Sequence, residues 1–505
     1  MKKKKEILVI VGSLLVIILS VTLAYFTVQI IGKGKDISLD SANLKITFAS
    51  GGGNISSTNI EPGWSSGAST FTVKNESNDT YKYNIIIKDL VNTFVTKGFL
   101  LYKITSTDGG YNMGDFVDVP KSTSATDTIL AYSVEIAKGV THTYTVEFKY
   151  LTSEEDQSDD MGRILSGTLY IEMGTDKPLT LAEKIIEDRT IETTPRGGAY
   201  NKVFTENTTG KLFQTTESIA GGEVKTVYYF AGAPTDNWVK FAGFYWRIIR
   251  TNHDGSIRLL YAGTSPDTTS GYIGTSSFNS SYNSPKYVGY MYGTDGSLSE
   301  SRTNTNDSTI KTYIDTWYSN NLSSYSKYIS TEAVYCNDRQ LDSGQTWSTS
   351  SSTYFSYITY TRLDYITNGA KASPTYDCAD SHDAFSGSNA DAELTYPISL
   401  MTADEINIAG GLARTDAPAY YYLNSAGDSI TGDVWWWSLS PIYWDRSRSY
   451  VWYVLVSDSP GYLDSGTVYN SLGVRPAISL KTCALWTSGN GAPETPYEIS
   501  TTSGC

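Results

Sequence analysis

The chain has 505 residues, a formal net charge of −14 and only 18% charged residues. That length exceeds one ordinary core and points to two globular domains with an appendage. The negative balance argues against nucleic acid and anionic headgroups as partners, and the bias toward Ser, Thr, Asn, Gly and Tyr fits an exported protein better than a cytosolic enzyme. At the N-terminus, Met1 is followed by Lys2, Lys3, Lys4 and Lys5, after which residues 7–32 carry no charge. This run is longer than the ~18 residues that read as a membrane span. The expectation is an N-terminal transmembrane helix within residues 1–32, with the Lys cluster in the cytoplasm and everything after Lys33 outside the cell. The alternative is a cleaved export signal and a secreted product, because Thr22-Leu23-Ala24 offers small residues where a signal peptidase needs them.

Residues 36–174 read as an all-β sandwich. Leu44, Ile46 and Phe48 alternate, as do Phe71 and Val73, Tyr81, Tyr83 and Ile85, then Tyr144, Val146 and Phe148, and finally Leu169 and Ile171. Gly51-Gly52-Gly53, residues 106–110 and the acidic residues 154–160 separate these strands as loops. The segment Thr22-Leu23-Ala24-Tyr25-Phe26-Thr27 resembles the export signals of the camelysin and TasA group of Gram-positive matrix proteins. Ile60-Glu61-Pro62-Gly63, followed by Phe71-Thr72-Val73-Lys74-Asn75, resembles the first strands of the same family. That resemblance, over residues 20–174, implies cleavage near Ala24 and a jelly-roll-like sandwich of the kind found in surface fibres. Camelysin has been classed as a metallopeptidase, but hydrolytic zinc needs a compact set of His and carboxylate ligands. The three His here, His142, His253 and His382, have no second His nearby in sequence. We read them as surface or structural residues and expect neither metal nor cofactor.

Residues 175–223 read as a linker. Thr180-Leu181-Ala182-Glu183 has the form of a capping box, and Leu181, Ile185 and Ile186 mark one short amphipathic helix. A second, α+β domain is expected over residues 224–505. It opens with strand-like segments 244–250 and 256–262, joined across Asn252-His253-Asp254-Gly255, whose Asp-Gly is a hairpin signal. Ser308 is placed to cap a helix burying Ile310, Ile314 and Trp317, and Thr402-Ala403-Asp404-Glu405 opens a short helix closed by Gly410-Gly411. Arg247, Arg250, Arg258 and Arg475 are read as structural hydrogen-bond donors beside strand ends. The segment 240–250, KFAGFYWRIIR, resembles the opening of C-type-lectin-like domains of bacterial surface proteins, and the order of one hairpin, two helices and a late run of short strands agrees with it.

Between Trp435 and Leu480 the chain is dominated by Tyr, Trp, Ser and Asp. Tyr and Trp offer large contact area with few rotatable bonds, and Ser and Asp supply adaptable hydrogen bonding, as in antibody paratopes. The flanks Trp435-Trp436-Trp437-Ser438-Leu439-Ser440-Pro441 and Gly473-Val474-Arg475-Pro476-Ala477-Ile478-Ser479-Leu480 resemble those of lectin-like domains, including the variable domains targeted by diversity-generating retroelements. In that group the intervening residues, here 442–472, are diversified. The implied ligand face carries Tyr443, Trp444, Asp445, Tyr450, Trp452, Tyr453, Asp458, Tyr462, Asp464 and Tyr469, and the implied partner is an extracellular protein or glycan. The plainer alternative is a set of short strands whose Val451, Val454, Val456, Leu463, Val468 and Val474 fill a core while the polar positions are wet surface.

Cys336, Cys378, Cys483 and Cys505 all fall in this second domain, an even count that suggests disulfides in an exported chain, with three possible connectivities. Local loop closure favours Cys336 with Cys378 and Cys483 with Cys505, against four reduced thiols. No catalytic motif is present. The functional expectation is therefore an exported cell-surface recognition protein. Two alternatives stand beside it: a fibre or matrix subunit assembling through the sandwich, and an oxidase of the formylglycine-generating kind, which shares the lectin-like fold and uses a pair of reactive cysteines.

Overall fold

The computed structural model describes residues 60–505, apart from 155, 195, 197–198, 365–371 and 457, together with four earlier strands. The chain falls into two units, Met1–Lys177 and Pro178–Cys505.

The first unit is built from two sheets around one core. Its strands are β1 (Val28–Ile31), β2 (Ile37–Leu39), β3 (Leu44–Phe48), β4 (Asn54–Ser57), β5 (Ser69–Asn75), β6 (Tyr81–Asn92), β7 (Leu100–Ser106), β8 (Val117–Asp118), β9 (Ser122–Ile136), β10 (Thr141–Tyr150) and β11 (Leu165–Met173). One sheet has the order β4-β1-β11-β6-β9 and the other β2-β3-β5-β10-β7-β8. Along β10 and β11 burial alternates residue by residue, because successive side chains of a strand point to opposite faces. The inward set, including Phe71, Val73, Ile104, Val146 and Phe148 from one sheet and Ile85, Ile87, Leu169 and Ile171 from the other, forms a single apolar cluster.

The expected transmembrane helix is corrected at the end that the structure describes. Val28–Ile31, the tail of the uncharged run, is a strand: it pairs parallel with β11, Val28 opposite Leu165, and antiparallel with β4, Val28 opposite Ser57. Its backbone groups are engaged with neighbouring strands on both sides rather than along a helix. Among the described residues no helix is long and apolar enough to cross a membrane. Thr309–Asn321, at 13 residues, falls well short of the ~20 needed. Residues 1–27, where the rest of that expectation lies, are outside the described residues.

A polar insertion crosses the sandwich core. The Tyr83 hydroxyl lies 2.5 Å from that of Tyr144 and 2.9 Å from Nδ1 of His142, which is itself buried. Burial holds the His142 imidazole below its ordinary value of about 6.5, opposed in part by the Asp108 carboxylate. The folded state therefore keeps His142 neutral, while in the unfolded chain it takes up a proton near pH 6.5. This contribution to stability is fully present above the unfolded pKa and is lost as pH falls toward the lower folded one. His142→Gln is expected to flatten the loss of sandwich stability as pH falls below the ordinary imidazole value, measured by calorimetry of the full chain.

The second unit is mostly β-sheet with few, short helices, so its expected α+β balance is corrected toward β. Three of its helices begin where their cap chemistry lies. Thr180 and Thr402 form capping boxes with Glu183 and Glu405 ahead of Leu181–Glu187 and Ala403–Ala409, and the Ser308 side chain accepts from the Lys311 amide at the start of Thr309–Asn321. The segment expected as a linker contributes the first of these helices and the strands Thr190–Glu192 and Lys211–Glu217 to a 10-stranded sheet. At the centre of that sheet Phe244–Thr251 and Ile257–Tyr261 form an antiparallel hairpin, with Thr251 opposite Ile257 and Gly255 at φ +78° in the connecting turn. Pro476–Leu480 pairs with the second of these strands, Ile257 opposite Leu480. Both hairpin strands are buried on both faces over most of their length, and apart from Arg247, Arg250 and Arg258 they are largely apolar.

Buried arginines tie this core together. Arg247 donates to Asn237 and to the carbonyls of Tyr420 and Leu423, and Arg475 donates to the carbonyls of Tyr261 and Tyr421. Arg250 and Arg258 converge on Glu405, with N···O distances of 2.8 and 2.7 Å, and Arg250 also binds Glu217 at 2.8 Å. Two disulfides close the loops beside them, Cys336 with Cys378 and Cys483 with Cys505. Such bridges indicate an oxidising, extracellular environment.

Candidate ligand-binding face

The aromatic-rich segment folds into a seven-stranded sheet in which Trp436–Trp444, Ser449–Val454 and Tyr462–Thr467 are consecutive antiparallel neighbours. Tyr443 stands opposite Tyr450 and Trp444 opposite Ser449, closing a tight turn over residues 445–448 in which Arg446 has φ +83°. Because neighbouring side chains point to opposite faces, this hairpin splits the ten expected ligand-face residues into groups.

Three of the ten are core residues. Trp444, Trp452 and Tyr453 are 1%, 0% and 7% exposed and belong to the large apolar cluster. Their expected role as outward anchors is corrected: strand alternation turns Trp444 inward beside Tyr443, and Trp452 is covered by Arg414, whose guanidinium lies 5.7 Å from its ring. Asp445 is half-buried, and its carboxylate is occupied by the turn itself. Oδ1 accepts from the Ser447 and Arg448 amides at 2.9 and 2.7 Å, and Oδ2 accepts from the Tyr450 hydroxyl at 2.9 Å. Burial would raise this carboxyl, but those hydrogen bonds outweigh it and hold Asp445 below the usual carboxylate range. Asp445 shapes the turn rather than reaching for a ligand.

Tyr443 and Tyr450 are half-buried and packed together, with ring centroids 4.5 Å apart. Two tyrosines from a distant segment join them: Tyr354 at 5.9 Å and Tyr360 at 6.1 Å from the Tyr443 ring. Tyr354 is 39% exposed, and the Arg446 guanidinium sits 5.9 Å from its ring. At the other edge the Tyr443 hydroxyl donates to Ser465 Oγ at 3.1 Å, and Arg414 pairs with Asp464 and reaches Asp364 at 3.5 Å. This four-tyrosine patch, rimmed by charges of both signs, is the best-formed contact surface on the hairpin.

The remaining residues lie apart from it. Tyr453 donates to Asp464 at 3.4 Å and stacks on the exposed Trp435 at 5.6 Å, on the opposite face from Tyr450. Tyr469 pairs with Tyr282 at 4.9 Å and accepts from Arg448 at 3.2 Å. Tyr462 is half-buried and Asp458 exposed. Tyr354, Tyr360 and Arg414 are absent from the sequence-derived set, since each sits far along the chain from residue 443 and only folding brings them together. The one local sign is the Ser- and Tyr-rich composition around Tyr354.

The four cysteines are all in closed bridges, and no free cysteine is present among the described residues. Among those residues no group of three or more His, Cys, Asp or Glu is arranged to hold a metal ion.

No protein-family model matches this chain, and no curated protein matches it. Among solved structures it is matched to a chain described as "AvmM Catalyzes Macrocyclization in Alchivemycin A Biosynthesis", at 12% identity, covering 30% of this chain and 100% of that one, with a TM-score of 0.14. A likeness that low carries no argument about fold or activity.

Proposed function

We propose that this is an exported recognition protein, displayed outside the cell, whose Tyr354, Tyr360, Tyr443 and Tyr450 patch contacts the surface of an extracellular protein. The observation that carries the reading is the packing of the other three rings within 6.1 Å of Tyr443 on an outward face edged by Arg446, Arg414 and Asp464. Tyrosines stiffened by one another present contact area at little entropic cost, and flanking charges of both signs favour a protein surface over a uniformly charged polymer. The disulfides support the extracellular setting, and the resemblance of the hairpin's flanks to lectin-like surface domains points the same way.

The test begins by screening the purified chain against panels of extracellular proteins and of glycans. For the strongest binder, Tyr354→Ser and Tyr443→Ser are each expected to weaken affinity by about 30-fold or more, the effect of losing a contact worth about 2 kcal/mol. Thermal stability of the Tyr354→Ser variant should hold, because that ring is already substantially exposed. Full affinity in both variants would sink the reading, and a glycan as the sole binder at this patch would replace the protein partner.

A further inference from the structure

An open cavity in the second unit, whose lining shares no residue with the tyrosine patch, runs along the outer side of helix Thr309–Asn321 with a volume of about 690 Å³. Its lining is unusual in carrying almost no charge. Thr312, Thr316 and Asn320 present hydroxyls and an amide from the exposed side of the helix, Ser280 and Ser281 face them from the preceding loop, and Tyr292, Tyr313 and Trp317 contribute rings. The sole ionisable carboxylate in the lining, Asp307, is paired with Lys311 at 3.2 Å. No Lys, Arg or His contributes to the wall.

Two details mark the groove as more than a wet helix face. Trp317 is half-buried and braced by Phe244, Tyr261 and Trp246, at centroid distances of 5.3, 5.4 and 6.5 Å, so its ring is held in one orientation. Asn279, also part of the lining, is 3% exposed, and its Nδ2 has no protein partner even though its Oδ1 accepts from the Ser281 amide at 3.3 Å. A buried amide donor left unmatched is uncommon and calls for a partner.

We propose that this groove binds a short neutral saccharide. A pyranose has one face of C–H groups that packs against the electron-rich face of an aromatic ring, and an equatorial belt of hydroxyls that both donate and accept. Braced aromatic rings beside Ser, Thr and Asn side chains match those two surfaces, and the uncharged wall gives no favourable partner to a sulfated, phosphorylated or sialylated glycan. The volume lies within the ~300–1,000 Å³ of small-molecule sites. This site is separate from the tyrosine patch, and neither proposal depends on the other.

The test titrates the full chain with trisaccharides of glucose, mannose, galactose and N-acetylglucosamine, and with sialyllactose as the charged control. Tryptophan fluorescence and isothermal calorimetry read the binding, at sugar concentrations up to about 10 mM, tenfold above a millimolar Kd. At least one neutral sugar is expected to give a saturable change. Thr316→Arg, at an exposed helix position, fills the groove and should weaken that binding at least tenfold with an unchanged melting temperature, whereas Tyr354→Ser should leave it intact. The proposal is overturned by no saturable change with any neutral sugar, by binding that survives Thr316→Arg, or by preference for sialyllactose.

Discussion

Glu405→Ala is expected to destabilise the second unit by about 3–5 kcal/mol, the usual consequence of removing one partner from a buried ion pair. Glu405 is 1% exposed, and a single carboxylate oxygen receives both Arg250 and Arg258. Its other oxygen accepts from the Thr402 amide at 2.9 Å, completing the cap of helix Ala403–Ala409. The substitution thus leaves Arg258 without a carboxylate in the core, leaves Arg250 with Glu217 alone, and breaks the side-chain half of the capping box. Urea unfolding should show the transition of this unit at a much lower midpoint, out of a total stability that for a typical domain is only about 5–15 kcal/mol. Glu405→Gln, which keeps the cap acceptor but not the charge, should fall between wild type and Ala. The same network governs acid behaviour. Burial would raise the Glu217 carboxyl, but Arg250 and the hydrogen bonds from His253 and Arg250 hold it at about 2. Its contribution is present above the unfolded carboxyl value and disappears as pH falls through that folded value. An unchanged urea midpoint in Glu405→Ala would show that the arginines find other partners.

The second large effect is expected at Cys336 and Cys378. Their bridge spans a sequence separation of 42, for which loop-closure entropy gives about 4 kcal/mol. Replacing both with Ser should lower the melting temperature of the second unit while leaving recognition through the tyrosine patch measurable on the folded fraction. The reason for partial survival is local. Cys378 also exchanges backbone hydrogen bonds with its neighbouring segment, donating to the Ser218 carbonyl at 3.0 Å and accepting from the Ala220 amide at 2.7 Å. Residue 336 is likewise held, by pairing with Ala384. Alkylation of the untreated, non-reduced protein followed by mass spectrometry should find both bridges closed. Alkylatable Cys336 and Cys378, together with turnover of a thiol peptide, would replace the recognition reading with the oxidase alternative.

What the sequence determined by itself is what local chemistry can specify. Thr180, Ser308 and Thr402 mark helix starts because a side-chain oxygen three residues ahead of an orphaned amide satisfies it whatever surrounds the helix. Alternation on β10 and β11 and the Asp254-Gly255 turn are legible for the same reason: pleat period and positive φ are properties of a few adjacent residues. Tertiary structure alone decided the rest. An uncharged run reads as a membrane helix by hydropathy, yet Val28–Ile31 is a strand because residues 165–167, far along the chain, offer it a parallel partner. Composition at 442–472 marks contact-forming residues but not which side they face, since a shift of one residue sends a side chain to the opposite surface. Only the register of Tyr443 against Tyr450 turns Trp444 inward, and only long-range packing brings Tyr354, Tyr360 and Arg414 to the patch. Local rules carry no information about partners separated by tens to hundreds of residues, and it is those partners that divide the aromatic residues between core and surface.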